Sequence, residues 1–156
     1  MPLALIALGS KLGERAKNLD LALKVLQLAP GVQVRAVSSW HATQPVGGPP
    51  GQGEFLNGAA LLETTLAPRD LLARLLDIET ALGRVRHERW SPRSIDLDLL
   101  LYDDLVVNSA ELTVPHPRMT ERGFVLEPAA EIAGAMRHPT ANKTIAELAE
   151  MLRAKK

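Results

Sequence analysis

The chain contains no cysteine, which excludes disulfides and thiolate metal ligands and fits a reducing compartment. Aromatic residues are scarce: two Trp, two Phe and one Tyr amount to 3% of the chain, so a multi-aromatic face of the kind that stacks single-stranded RNA is disfavoured. Neither sign of charge dominates, because 18 Lys and Arg balance 18 Asp and Glu. A broad nucleic-acid-binding surface is therefore not expected, and any basic site must be local. No apolar run approaches the roughly 18 residues of a membrane span, and the first residues lack the basic region and cleavage site of a signal peptide. The expected setting is the cytoplasm, with no membrane partner. The common phosphate loops are missing as well. Gly9-Ser10-Lys11 has the wrong order for a Walker A loop, Gly51-Gln52-Gly53 is followed at the sixth position by Leu56, and no protein-kinase catalytic loop occurs.

What the chain does have is material for a core. Hydrophobic residues make up 46% of its 156 residues, as in a single domain spanning residues 1–156, for which a monomer is the expected state. Residues 2–8 form an uninterrupted apolar run closed by Gly9-Ser10, the pattern of a buried central strand. Between Glu14 and Leu28, Ala16, Leu19, Leu23 and Leu26 recur at helical spacing until Pro30-Gly31 stops them. Val32, Val34 and Ala36 alternate with Gln33 and Arg35, predicting a second strand that reaches Trp40. After a Gly- and Pro-rich loop over 44–53, residues 55–64 read as a third strand. Pro68 then opens a helix with Leu71, Leu75, Ile78 and Leu82 on one face, ended by Gly83. A strand carrying Asp96 and Asp98 completes the order β-α-β-β-α-β. That order predicts an α+β, ferredoxin-like core, an antiparallel sheet with helices packed on it. Beyond Tyr102 the pattern predicts a turn at Asp103-Asp104, short strands over 105–107 and 112–114, and short helices within 119–132. A capping box formed by Thr144 and Glu147 opens a terminal helix.

The stretch over 89–102, Arg-Trp-Ser-Pro-Arg-Ser-Ile-Asp-Leu-Asp-Leu-Leu-Leu-Tyr, organises the rest. In its second half Ile95, Leu97, Leu99 and Leu101 are expected on one strand face, and Asp96 and Asp98 on the other. Residues two apart on a strand are separated by roughly 6.5 to 7 Å, so the two carboxylates can grip one cation, or a pair about 3.5 to 4 Å apart. Asp is depleted from strands, and like charges on one face oppose each other. A hard, oxygen-seeking ion such as Mg²⁺ resolves that conflict. Arg84, Arg86, Arg89 and Arg93 come just before, with His87 among them, and guanidinium forks bind phosphate oxygens. Arginine-rich loops are usually just solvated, and an Asp-x-Asp at a strand end is often surface decoration. Their occurrence together favours a metal–polyphosphate site.

Residues 90–100, Trp-Ser-Pro-Arg-Ser-Ile-Asp-Leu-Asp-Leu-Leu, resemble the signature of the 6-hydroxymethyl-7,8-dihydropterin pyrophosphokinase family, with Ser91 where the family usually has Gly. Two further blocks match: Leu112-Thr113-Val114-Pro115-His116-Pro117-Arg118-Met119 with Arg122-Gly123-Phe124, and Thr43, Pro45-Val46-Gly47 and Phe55-Leu56-Asn57. The resemblance implies transfer of pyrophosphate from ATP to the hydroxymethyl group of a dihydropterin, giving AMP and the pterin diphosphate, a step of folate biosynthesis. It implies two Mg²⁺ ions on Asp96 and Asp98, and Arg84, Arg89 and Arg93 acting beside them at the reacting centre. Glu79, Arg93, Leu99, Thr113, His116 and Arg122 would hold the nucleotide. Thr43, Val46, Phe55, Asn57, Trp90 and Phe124 would hold the pterin. A flat heterocycle needs aromatic faces and a carboxamide at its edge, which Phe55, Phe124 and Asn57 can supply. Each has a plainer reading too: Phe55 and Phe124 as core, Glu79 as a solvated helix carboxylate, His116 as a structural histidine. The segment over 84–94 has almost nothing apolar except Trp90 and is expected to close over bound phosphates. Two other classes remain open, an RNA-binding ferredoxin-like module and a metal-dependent phosphohydrolase.

Overall fold

A computed structural model describes residues 2–10, 15–43, 55–83 and 95–155. The elements in chain order are β1 (Leu3–Ser10), α1 (Arg15–Leu28), β2 (Val32–Val37), β3 (His41–Thr43), β4 (Phe55–Thr64), α2 (Pro68–Gly83) and β5 (Asp96–Tyr102). Then come β6 (Val107–Asn108), β7 (Thr113–Val114), a 3₁₀ turn (Met119–Glu121), α3 (Gly123–Ala133), β8 (Arg137–His138), β9 (Lys143–Thr144) and α4 (Ile145–Ala154). The main sheet runs β2-β4-β1-β5, every pairing is antiparallel, and β3 also pairs with β4. With β3 set aside, this is the strand order of the predicted ferredoxin-like core.

Helices cover both faces of the sheet. On one, Ile6, Leu8 and Leu62 pack with Leu19 and Leu26 of α1 and Leu71, Leu75 and Ile78 of α2. On the other, Leu5, Ala59 and Leu101 pack with Leu126 and Ala129 of α3 and Ile145 and Leu148 of α4. β1 lies between β4 and β5, and Leu5 and Ile6 are wholly buried on opposite faces. Its apolar run has no polar alternation because both sides of the strand are covered.

The structure corrects several details. β1 continues through Gly9-Ser10, which pair with Asn57 and Leu56. In α1 the buried stripe is Leu19, Ala22 and Leu26, whereas Ala16 is exposed. The β1–β5 register shifts between Leu5 and Ile6, which face Leu101 and Leu99. This irregularity turns Leu101 away from Ile95, Leu97 and Leu99 and into the α3–α4 face, beside Leu100. The second strand stops at Val37 instead of reaching Trp40. At the break Ser38 N–H donates to Ala59 O at 2.9 Å and Ser38 Oγ accepts from Ala59 N–H at 2.8 Å. The Trp40 ring lies over Gly58, where a Cβ would sit 2.3 Å from Trp40 Cζ3. The strand predicted over 105–107 is instead the two-residue β6, paired with β7. Thr144 and Glu147 form the predicted capping box, while the β8–β9 hairpin before it was not predicted.

Candidate functional site

β5 lies at a sheet edge, and its first residues carry the two carboxylates. Asp96 and Asp98 are exposed while Leu97 and Leu99 between and beyond them are buried, so the strand turns apolar side chains to α1 and α2 and carboxylates to the opposite side. Across the ladder Asp96 faces Gly9 and Asp98 faces Ala7. These small residues leave the floor beside the carboxylates open. Glu79 of α2 holds the strand at this point, its Oε2 accepting the Leu97 N–H at 2.9 Å.

Above that floor is a cavity of about 620 Å³, lined by Phe55 and Asn57 of β4, Asp96 and Asp98 of β5, and Arg118, Arg122 and Phe124 around the start of α3. Its size is that of a small-molecule site, roughly 300 to 1,000 Å³. Asn57 fits because Gly9 has no side chain: a Cβ there would lie 3.3 Å from Asn57 Oδ1. Phe124 is 37% exposed, so part of its ring is available to a ligand in the cavity. The Arg122 guanidinium stands 5.6 Å from the Phe124 ring centroid, within cation–π range.

His116 stands close by. Its backbone N–H donates to Leu100 O at 2.9 Å, which ties the loop after β7 to β5, and its Nδ1 accepts the Arg118 N–H at 3.3 Å. Burial pushes the imidazole below its ordinary value, Asp98 opposes that shift, and Arg122 and Arg118 add to it. Neighbouring charges of both signs thus pull on the imidazole's proton affinity, and an incoming anion would raise it.

The structure thus brings together Phe55, Asn57, Asp96, Asp98, Arg122 and Phe124, with His116 beside them. Thr43 is reached through β3, where it pairs with Phe55. Thr113 lies in β7 and its Oγ1 donates to Ser109 O at 3.4 Å. Leu99 is 4% exposed within the α1–α2 core, so its side chain is not placed to meet a ligand. Val46, Arg84, Arg89, Trp90 and Arg93, with the whole 84–94 segment, lie outside the described residues. Arg118 was missed as a cavity residue, although it follows the Pro-His-Pro of a matching block.

The carboxylates suit Mg²⁺ in one particular way. They are hard oxygen donors on one strand face, and among the described residues no group of three or more His, Cys, Asp or Glu could hold a metal. Two carboxylates leave most of an octahedral shell to other oxygens, the situation of an ion bound jointly by protein, water and substrate phosphates.

The sequence profile of a family described as 7,8-dihydro-6-hydroxymethylpterin-pyrophosphokinase (HPPK) matches residues 5–134. The chain is 42% identical over 149 residues to a 2-amino-4-hydroxy-6-hydroxymethyldihydropteridine pyrophosphokinase of Synechocystis, covering 96% of this chain and 75% of that protein. It is 47% identical over 130 residues to the protein of the same name from Bacillus subtilis, covering 83% and 77%. Among solved structures it is similar to a Plasmodium falciparum HPPK-DHPS chain, with a TM-score of 0.79 at 13% identity. That likeness speaks to fold, and covers 99% of this chain but 45% of the larger one.

Proposed function

The chain belongs to the 7,8-dihydro-6-hydroxymethylpterin-pyrophosphokinase family, and we propose that it transfers pyrophosphate from ATP to the hydroxymethyl group of 6-hydroxymethyl-7,8-dihydropterin, releasing AMP. The observation that carries this reading is that Asp96 and Asp98 open into the same cavity as Phe55, Asn57 and Phe124. A polyphosphate-compatible edge and a heterocycle-compatible pocket adjoin each other.

In this reading the pterin ring lies between Phe55 and Phe124, and the Asn57 carboxamide pairs with its hydrogen-bonding edge. Asp96 and Asp98 hold two Mg²⁺ ions. Bound there, Mg²⁺ neutralises charge on the phosphate oxygens and helps to orient them. His116 and Arg122 donate to the polyphosphate, and Arg84, Arg89 and Arg93 complete the cationic set around the reacting centre. Glu79, Thr113 and the backbone of Leu99 support the nucleotide, and Thr43, Val46 and Trp90 the pterin. The hydroxymethyl oxygen forms a bond to the β-phosphorus while the bond from that phosphorus to the oxygen bridging the α-phosphate breaks. AMP leaves with the electron pair, and the hydroxyl proton passes to solvent. No covalent enzyme intermediate is required, so the residues contribute positioning and charge compensation. The working form in this reading is a cytoplasmic monomer.

Incubation with ATP, Mg²⁺ and 6-hydroxymethyl-7,8-dihydropterin tests it. AMP should appear in step with pterin diphosphate and only when pterin is present. Pterin-independent ADP or phosphate release would instead indicate a phosphohydrolase.

A further inference from the structure

The carboxylate of Glu131, on α3, is built into the corner where the sheet edge breaks between β2 and β3. Its Oε1 accepts both the Ser39 N–H and the Ser39 hydroxyl at 2.9 Å, its Oε2 lies 3.0 Å from the same hydroxyl, and His41 Nε2 pairs with Oε2. The Ser39 N–H and then His41 hold the Glu131 carboxyl below its ordinary value. His41 is the cross-strand partner of Asn57, and Thr43 at the other end of β3 is the partner of Phe55. The same α3 carries Phe124 in its first turn. One carboxylate therefore joins the helix that supplies Phe124 to the strand paired with β4, which supplies Phe55 and Asn57.

We propose that Glu131 is a positioning residue that sets the gap between Phe124 and the Phe55–Asn57 strand, and with it the fit of the pterin ring. The proposal rests on the reading that this cavity holds pterin. A ring held between two aromatic faces tolerates little change in their spacing, because dispersion contact falls away within an ångström. Misplacement should therefore weaken pterin binding most, because β3 pairs with the segment of β4 that carries Asn57 and Phe55, while Asp96 and Asp98 stand on the separate strand β5. Leu126, Ala129 and Ala133 bury α3 against Leu5, Ala59 and Leu101 of the sheet and should keep the helix docked when Glu131 is replaced.

The test compares Glu131→Ala, Glu131→Gln and Asn57→Ala by steady-state kinetics and thermal unfolding, varying pterin and ATP separately. Glu131→Ala should raise the pterin KM about tenfold, with ATP KM and kcat changed by less than about twofold. Glu131→Gln retains an amide oxygen to accept from Ser39 and should fall between it and the parent; if Glu131→Ala does not fold, Glu131→Gln carries the comparison alone. A pterin KM that is unchanged in the Glu131 variants but raised in Asn57→Ala would overturn the positioning role while leaving the pterin site intact. Unchanged pterin affinity in Asn57→Ala as well would overturn the site reading, and this proposal with it.

Discussion

Glu79 Oε2 accepts the backbone N–H of Leu97 at 2.9 Å, so helix α2 grips the amide that lies between the two aspartates of β5. An edge strand has amides with no strand partner, and this one is partly buried against a helix. The carboxylate both satisfies it and fixes where the strand, and hence Asp96 and Asp98, must start.

Replacing that carboxylate should be felt in stability and in activity together. Glu79→Ala leaves the Leu97 N–H without its acceptor, at a cost of about 1 to 3 kcal/mol. For a chain of this length that lowers the melting temperature by about 2 to 4 °C per kcal/mol. Turnover should fall as well, because the carboxylates lose their anchor. Glu79→Gln keeps an acceptor oxygen and should melt closer to the parent. Identical melting curves for parent and Glu79→Ala would show that the tie contributes nothing.

Asp96→Asn and Asp98→Asn should each reduce turnover at least about a hundredfold, some 2.7 kcal/mol of transition-state stabilisation. Both residues are exposed on the cavity side of β5, so neither change opens a hole in the core. In metal-free buffer each variant should melt at or slightly above the parent temperature, because one of two neighbouring like charges is gone. Mg-nucleotide should then stabilise the parent more than the variants. Near-normal turnover in either variant would remove the metal assignment.

The order of the core strands and helices was legible from the unbroken apolar run of β1, the alternation in β2 and the helical spacing of the leucines in α2, and the Asp-Leu-Asp pattern put both carboxylates on one face of β5. The face of Leu101 was not legible. A register shift between Leu5 and Ile6 reverses the alternation beyond it, and a run of three leucines at 99–101 gives no polar residue to mark the reversal. The early end of β2 was hidden for a related reason: Ser38, Ser39 and Trp40 are acceptable in a strand, and only Gly58 on the neighbouring strand reveals where the indole goes. Strands of two residues such as β8 and β9 are too short to show a period. The Glu131 cluster joins positions about 90 apart in the chain, a proximity that only the packing of α3 on the sheet creates.

Gly58→Ala should test that packing directly. The new methyl would lie 2.3 and 2.4 Å from two atoms of the Trp40 ring, so the indole has to move or the strands have to part. A cost of about 1 to 3 kcal/mol is expected for such overpacking, with a shift in Trp40 emission that persists in a Trp90→Phe background. Unaltered emission and stability together would mean that the ring does not rest on Gly58.

The last prediction concerns pH. His138 is 5% exposed, and its Nδ1 accepts the Ala141 N–H at 3.0 Å and lies 3.2 Å from Thr140 Oγ1. Burial pushes its imidazole below the ordinary value near 6.5, and a backbone contact opposes that shift only in part. Above pH 6.5 the ring is neutral in both the folded and the unfolded chain, and the hairpin keeps its full contribution. As the pH falls below that value the unfolded chain takes up the proton first, while burial makes the folded chain resist it. Stability should therefore decline from about pH 6.5 downward and level off once the folded ring is protonated too. His116 is shifted in the same direction, so the two must be separated. His138→Asn retains an acceptor oxygen near the Nδ1 position and removes the titration. In denaturant unfolding at a series of pH values, this variant should lose less stability than the parent between pH 6.5 and the acid limb. Parallel curves would show that His138 does not carry this part of the pH dependence.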